Sequence, residues 1–364
     1  MSDAFDIAII GAGIAGASIA AELGPHARVA LLEAEDQPGY HSTGRSAAFW
    51  AQTYGGPRIQ PLTSASGSWL DAHGFLGPRG ALNIARAGQE DRVEAMLRDF
   101  AAAGVRIERM DRKALEARLP GLLPEWQSGA WEPDCRDIDV AAMLAHYLGA
   151  ARRAGVALFT RTPVSRIEWN GHWHITAQSG AEFAAALIVN AAGAWADEVA
   201  RIAGIAPLGL QPMRRTIAQL RTQPAAPTDL PLVIDIEGSF YFKPENGRLW
   251  LSPHDETPTP PCDAAPEEID VALAIDRMQH VIDWTVERVE HRWAGLRTFA
   301  PDRLPVYGRD PARPEFAWFA GQGGFGIQTA PAAARLTAQR LLGHAPDEMT
   351  EAIDPEAYDP ARFL

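Results

Sequence analysis

The apolar positions of this chain fall into three recurring arrangements. Residues 5–10, "FDIAII", form a short run rich in branched residues. The run enters "GAGIAGASIAAEL", which is alanine-rich and helical in character, and "ARVALLEAE" follows as a second apolar strand. An apolar run, a small-residue turn and a helix recur in "AAALIVNAAGAWADEVARIAG" and again in "EFAWFAGQGGFGIQTAPAAARLTAQRLLG". Strands without polar alternation are buried on both faces, which predicts a parallel sheet covered by helices. The intervening segments read differently. "RRTIAQLRT", "PLVIDIEGSFYFKPENGRLWLSP" and "HRWAGLRTFAPDRLPVYG" are strand-like and broken by turn signals such as "PENG", which predicts a mostly antiparallel sheet. Residues 268–288 have the spacing of one amphipathic helix. The fold class is therefore α/β: a Rossmann-like domain assembled from separated segments, plus a second domain around the antiparallel sheet. The expected division puts residues 1–75, 138–205 and 293–364 in the first and 76–137 and 206–292 in the second.

Composition narrows the function. The 364 residues carry a formal charge of −13, which disfavours nucleic acid as a partner. Two cysteines give no disulfide framework, and no Cys/His clustering suggests a metal. The start has no signal-peptide pattern, and no apolar run is long enough for a membrane span. The expectation is a cytoplasmic protein, with peripheral membrane contact left open.

Gly11, Gly13 and Gly16 form G-x-G-x-x-G between the first strand and helix. The first glycine serves the tight turn, the second close approach of a pyrophosphate, and the third helix–strand packing. Glu33 ends the next strand, where a carboxylate accepts hydrogen bonds from ribose hydroxyls. Next comes "PGYHSTGRSAAFW", too apolar for a solvated linker and too rich in Ser, Thr and Gly for a core helix. A backbone with hydroxyls and one guanidinium suits a pyrophosphate and a flavin better than a nicotinamide.

The blocks "GAGIAGAS", "QPGYHSTGRSAA", "VNAAGAW", "PLGLQPMRR", "SFYFKP", "WAGLR" and "GQGGFGIQT" resemble the FAD-dependent D-amino acid oxidase and glycine oxidase superfamily. Within it they are most similar to bacterial FAD-dependent D-arginine dehydrogenase. The resemblance runs in order from residue 7 to about residue 330. It implies non-covalent FAD contacted by Gly11, Gly13, Ile14, Gly16, Glu33 and Ala34, and by Thr43, Gly44, Arg45, Ser46 and Ala47. It adds Val164 near the adenine, Ala192, Gly193 and Trp195 over the cofactor, and Gly295. Gly323, Gly324, Phe325, Gly326, Ile327, Gln328 and Thr329 would approach the pyrimidine side of the flavin. It also implies a small-molecule amino acid substrate and an electron acceptor, either oxygen or a quinone.

On the substrate side, Arg214 and Arg215 adjoin on a predicted strand, so only one can enter a given pocket. The resemblance picks Arg215, with Arg297 from "WAGLR" as the second, and Arg214 is expected in a surface salt bridge. Two arginine forks would grip a carboxylate. Tyr54 and Tyr241 match tyrosines that line the family's site, and His41 reads as structural. Two positions depart from D-arginine dehydrogenase. Phe49 stands where that enzyme has a histidine, and "GPRGALN" offers Ala81 where it has a glutamate for the cationic substrate end. Loss of a carboxylate removes preference for a cationic side chain. The expected reaction is oxidation of a neutral D-amino acid to the imine, and thence the 2-oxo acid, by hydride transfer to flavin N5. A 2-hydroxy acid or N-methyl amino acid dehydrogenase, a flavin-binding sensor without turnover, and an NAD-dependent enzyme are the alternatives.

Overall fold

The computed structural model describes residues 3–364 and contains two large sheets. The first has five parallel strands in the order Ala157–Phe159, Val29–Leu32, Asp3–Ile10, Glu182–Asn190, Phe316–Ala320. Antiparallel strands Trp173–Ala177 and Val164–Trp169 extend it from residues 182–185, and Val306–Arg309 pairs with Phe316–Ala320. Ile7, Ile9, Leu31, Val189 and Phe319 are buried on one face against helices Ile14–Leu23 and Gly326–Leu342. Full burial of such side chains contributes about 1.5–3 kcal/mol each.

The second sheet runs from Gln322–Gly323 through Thr285–Phe299, Gln211–Gln223, Arg248–Ser252, Tyr241–Glu245, Leu232–Asp235, Ala81–Arg86 and Trp126–Glu132 to Glu108–Asp111. Only the pairing of Leu232–Asp235 with Ala81–Arg86 is parallel. The "PENG" turn joins two of its strands, with Asn246 and Gly247 both at positive φ, as a two-residue hairpin turn requires. Strand Thr285–Phe299 pairs along Gln211–Gln223 without leaving this sheet, so it crosses the division expected at residue 293.

The amphipathic helix is shorter than its sequence suggests. It spans Glu268–Gln279 and buries Val271, Ala274 and Met278 against one face of the second sheet. Its expected last turn is instead the start of strand Thr285–Phe299, where pairing with Arg221–Gln223 overrides the local pattern. Among the described residues, no helix is long and apolar enough to cross a membrane, and no three potential metal ligands cluster.

Candidate active site

The parallel strands of the first sheet end at a cavity of about 550 Å³. Ile10, Leu32, Glu33, Ala191 and Gln322 meet there, at the carboxyl ends where open α/β sheets bind ligands. Gly11 makes the turn at φ +98°, and a Cβ there would lie 2.6 Å from the Ala191 carbonyl oxygen. The Gly16 requirement is stricter, since its Cβ would lie 1.7 Å from the Gly11 carbonyl oxygen. Glu33 is buried, and its carboxylate accepts from the Ala12 amide at 2.7 Å and the Glu35 amide at 3.0 Å. Thr43 Oγ1 accepts from the Ile14 amide at the helix start, 3.0 Å away.

Most of the expected cofactor residues surround this cavity. Gly13, Ile14, Ala34, Thr43 and Ser46 lie on its wall, as do Val164, Ala192, Gly193 and Trp195. Gly323, Gly324, Gly326 and Ile327 close the far end at the start of helix Gly326–Leu342. Gly16 packs against the turn, and Gly44, Phe325 and Thr329 do not line the cavity. Arg45 turns its charge away: its guanidinium binds Asp263 and the Ala264 and Ala294 carbonyls, and lies over the Tyr40 ring. Its own carbonyl accepts from Arg297 Nη2 at 3.0 Å and from the Trp293 indole at 3.3 Å. His41, read as structural, bonds Glu35 at 2.9 Å, packs on Trp195 and also lines the cavity.

A smaller pocket adjoins the far end. Ser46, Arg297, Gly324 and Ile327 belong to both walls, so the two spaces meet at Arg297. Ala47, Ala48, Phe49, Tyr54, Arg215, Tyr241 and Gln328 complete the small pocket. Strand register explains how distant residues converge. Arg215 faces Gly295 across the ladder and Arg297 faces Met213, so the two arginines are diagonal neighbours on one sheet face. Following the pairs 219–250 and 252–241 places Tyr241 on that face too. Gly295 leaves the space the Arg297 guanidinium occupies, since a Cβ would lie 2.8 Å from Arg297 Nη1 and 3.2 Å from Arg45 Cβ and would push that guanidinium aside. Phe49 and Ala81 belong to the same buried hydrophobic cluster as Tyr241.

Arg214 points to the opposite face. It pairs with Glu267 and with Asp270 at 2.9 Å, the ion pairing expected for it; its own side chain is buried at 8% exposure, while Glu267 stands at the surface.

The two pocket arginines differ in what they still lack. Arg215 donates to the Asp255 carbonyl at 2.8 Å, to Tyr54 Oη at 3.3 Å and to Glu256 at 3.0 Å. Burial lowers its pKa, but Tyr54, Tyr241 and Glu256 outweigh that and raise it. Arg297 has no carboxylate in salt-bridge range among the described residues, and its Nη1 is buried without a partner. Burial, reinforced by Arg215, lowers the Arg297 pKa. A buried cation without a counter-charge is costly, and a substrate carboxylate would supply one.

Three side chains support this pocket, and two of them, Glu132 and His254, carry no signal in the sequence. Gln328 was expected near the cofactor, but it ties down the turn carrying Tyr54: its Oε1 accepts from the Ala51 amide at 3.2 Å and its Nε2 donates to the Tyr54 carbonyl at 3.0 Å. Glu132, fully buried, accepts from Gln52 N and Thr53 Oγ1 at 2.6 Å each, and burial raises its pKa against those bonds. His254 adopts φ +52°, bonds the Gly238 carbonyl through Nδ1, and has Nε2 3.4 Å from Tyr54 Oη. Burial first, then Arg215 and Arg303, push its pKa down to about 3 against the Gly238 carbonyl. No sequence signal marks His254.

A Rossmann-type cavity ends beside Arg297, a buried arginine without a counter-charge among the described residues. The chain belongs to the family of DAO-type FAD dependent oxidoreductases, whose model matches residues 6–340, and it is FAD-dependent. It is 27% identical to glycine oxidase of Geobacillus kaustophilus, with 93% of each chain covered. It is 26% identical to mitochondrial dimethylglycine dehydrogenase of Rattus norvegicus over 64% of this chain and 29% of that protein. Crystal structures of the same glycine oxidase and of L-proline dehydrogenase from P. horikoshii superpose with TM-scores of 0.85 and 0.86. Each is 22% identical; the first covers 100% of both chains, the second 100% of this chain and 98% of its own. The α/β architecture is thus that of the DAO-family structures, and the chain is an FAD-dependent oxidoreductase.

The cavity fits the cofactor. The Glu33 carboxylate lies on its wall beside the start of helix Ile14–Leu23, as ribose and pyrophosphate require, and glycines 323, 324 and 326 allow close backbone approach at the other end.

Proposed function

We propose that the chain oxidises a small neutral amino acid of D configuration to its imine, which water hydrolyses to the 2-oxo acid and ammonia. The observation that carries this reading is Arg297 Nη1, a buried donor without a partner in a pocket whose wall bears two arginines and no carboxylate. Such a wall attracts the substrate carboxylate and repels a cationic side chain. Bound FAD supplies the acceptor for the hydride lost from the substrate Cα. The protein's part is orientation: Arg297 anchors the carboxylate at the junction of the two cavities, so the Cα–H faces the cofactor end. Phe49 and Tyr241 exclude water from the apolar side. The acceptor that reoxidises the cofactor is oxygen or a quinone, and the proposed site of action is the cytoplasm.

An N-alkylated amino acid is the second reading, supported by the similarity to dimethylglycine dehydrogenase. Steady-state kinetics separate the cases. We expect kcat/KM for D-alanine or D-leucine to exceed that for D-arginine and D-lysine by about 100-fold or more, the cost of burying an unpaired cation. Preference for a cationic substrate would overturn the apolar-pocket reading. Preference for N-methyl over primary amines would move the assignment to the second.

A further inference from the structure

We propose that His254 is a positioning residue that holds the Tyr54 hydroxyl as an acceptor for a substrate N–H, so the pocket selects primary and secondary amines over tertiary ones. This role rests on the amine-oxidising reading above. It follows from counting donors and lone pairs around one oxygen.

The Nδ1 of His254 is bonded to the Gly238 carbonyl, which can only accept, so Nδ1 carries the proton. The neutral ring then presents the Nε2 lone pair to Tyr54 Oη at 3.4 Å. The phenol proton points to His254. One Tyr54 lone pair takes Arg215 Nη1 at 3.3 Å, and the remaining one is left for the pocket that Tyr54 lines. With the imidazole absent, nothing would prevent the hydroxyl from turning its proton into the pocket.

Two features keep the ring in this state. Arg277 donates to the Ser239 carbonyl and, at 2.7 Å, to the Pro253 carbonyl, clasping the loops that carry Gly238 and His254. His254 also holds a left-handed conformation that non-glycine residues rarely adopt, a cost of the kind found where geometry serves a site. The groups facing the ring are Arg215, Arg303, Tyr54 and Tyr241. Glu256 lies between the two arginines, 3.0 Å from Arg215 and 2.7 Å from Arg303, and Asp255 is engaged by Thr216. Burial first, and then the cations Arg215 and Arg303, keep the ring neutral across the physiological range.

The reacting amine must be neutral for its lone pair to assist loss of hydride. A neutral primary or secondary amine still has an N–H to donate to Tyr54 Oη. A neutral tertiary amine has none and leaves that acceptor desolvated without a partner. The expected discrimination is about 10- to 100-fold in kcat/KM.

The test uses FAD-loaded enzyme with D-alanine and its N-methyl and N,N-dimethyl derivatives. Wild type should strongly disfavour the dimethyl compound. In His254→Leu and in Tyr54→Phe that discrimination should shrink toward unity, and the double variant should lose nothing further. His254→Gln, which keeps an acceptor near the Nε2 position, should retain it. Discrimination that survives in His254→Leu and Tyr54→Phe would be steric and would overturn the proposal. A measurement independent of turnover is nitrogen-15 NMR of histidine-labelled holoenzyme, with the His254 signal assigned by its loss in His254→Gln. The neutral Nδ1–H tautomer from pH 6 to 9, with only Nε2 moved by Tyr54→Phe, supports the arrangement. An Nε2–H tautomer, or an imidazolium at pH 6, overturns it. If wild type oxidises no member of the series, the amine-oxidising reading itself fails, and the NMR result still decides the geometry around Tyr54.

Discussion

Replacing Arg297 by leucine lowers kcat/KM for the neutral amino acid by about 10³-fold, while the folded protein keeps its FAD and its thermal stability. The loss corresponds to about 4 kcal/mol, within the range for removing one partner of a buried charge pair. The substrate carboxylate would enter the pocket without the Nη1 donor that now lacks any partner. Stability should not fall with activity, because the free enzyme holds this cation without a counter-charge, and removing it relieves a desolvation cost. The midpoint of thermal unfolding therefore stays the same or rises. Arg297→Lys keeps the charge but loses the planar fork, so its loss is smaller, about 10- to 100-fold. If Arg297→Leu lost activity only in proportion to lost folded protein, the residue would be part of the scaffold and not the carboxylate anchor.

The second large effect is on cofactor binding. Gly16→Ala should yield protein that purifies without flavin, or with affinity for FAD reduced by at least about 100-fold, as read by absorbance after gel filtration. A Cβ at residue 16 would lie 1.7 Å from the Gly11 carbonyl oxygen and 2.8 Å from its carbonyl carbon. Both are backbone atoms, so no rotamer change relieves the clash, and helix Ile14–Leu23 must move off the turn. Overpacking of this kind costs about 3 kcal/mol or more. The displacement breaks the Ile14 amide bond to Thr43 and moves the helix start away from the pyrophosphate position. Gly77→Ala is the control: a Cβ there meets nothing within 4 Å, so flavin content should be unchanged. Equal flavin content in both variants would contradict the role assigned to the first turn.

The parts of this account that were legible in the sequence are those carried by local pattern. The G-x-G-x-x-G turn with Glu33, and the return of strand, turn and helix near residues 190 and 320, placed the cofactor cavity at the ends of the parallel strands. Alternation along one strand put Arg214 and Arg215 on opposite faces, and the family resemblance, not the pattern, chose Arg215 for the pocket. What stayed hidden depended on contacts between distant segments. The last turn of residues 268–288 is helical in pattern but strand in fact, because pairing with residues 221–223 outweighs propensity. Arg214 carries the charge of a surface residue, yet it is buried together with Asp270 of helix Glu268–Gln279, and only its second partner, Glu267, is exposed. Arg45, by its motif, belongs beside the cofactor; in space its guanidinium goes to Asp263, which lies in a proline-rich loop with no readable preference. His254 could not be found from the sequence because its two partners lie 16 and 200 residues away.

The central claim is that this flavoenzyme takes its electrons from a neutral amino acid held by Arg297. The most direct measurement is the visible spectrum of the purified protein during anaerobic titration with D-alanine. The account predicts a yellow protein whose flavin absorbance is bleached within turnover time, with far slower bleaching in Arg297→Leu at the same concentration. A flavin that neutral amino acids leave oxidised while 2-hydroxy acids bleach it, or one that no member of either class reduces, would contradict the account.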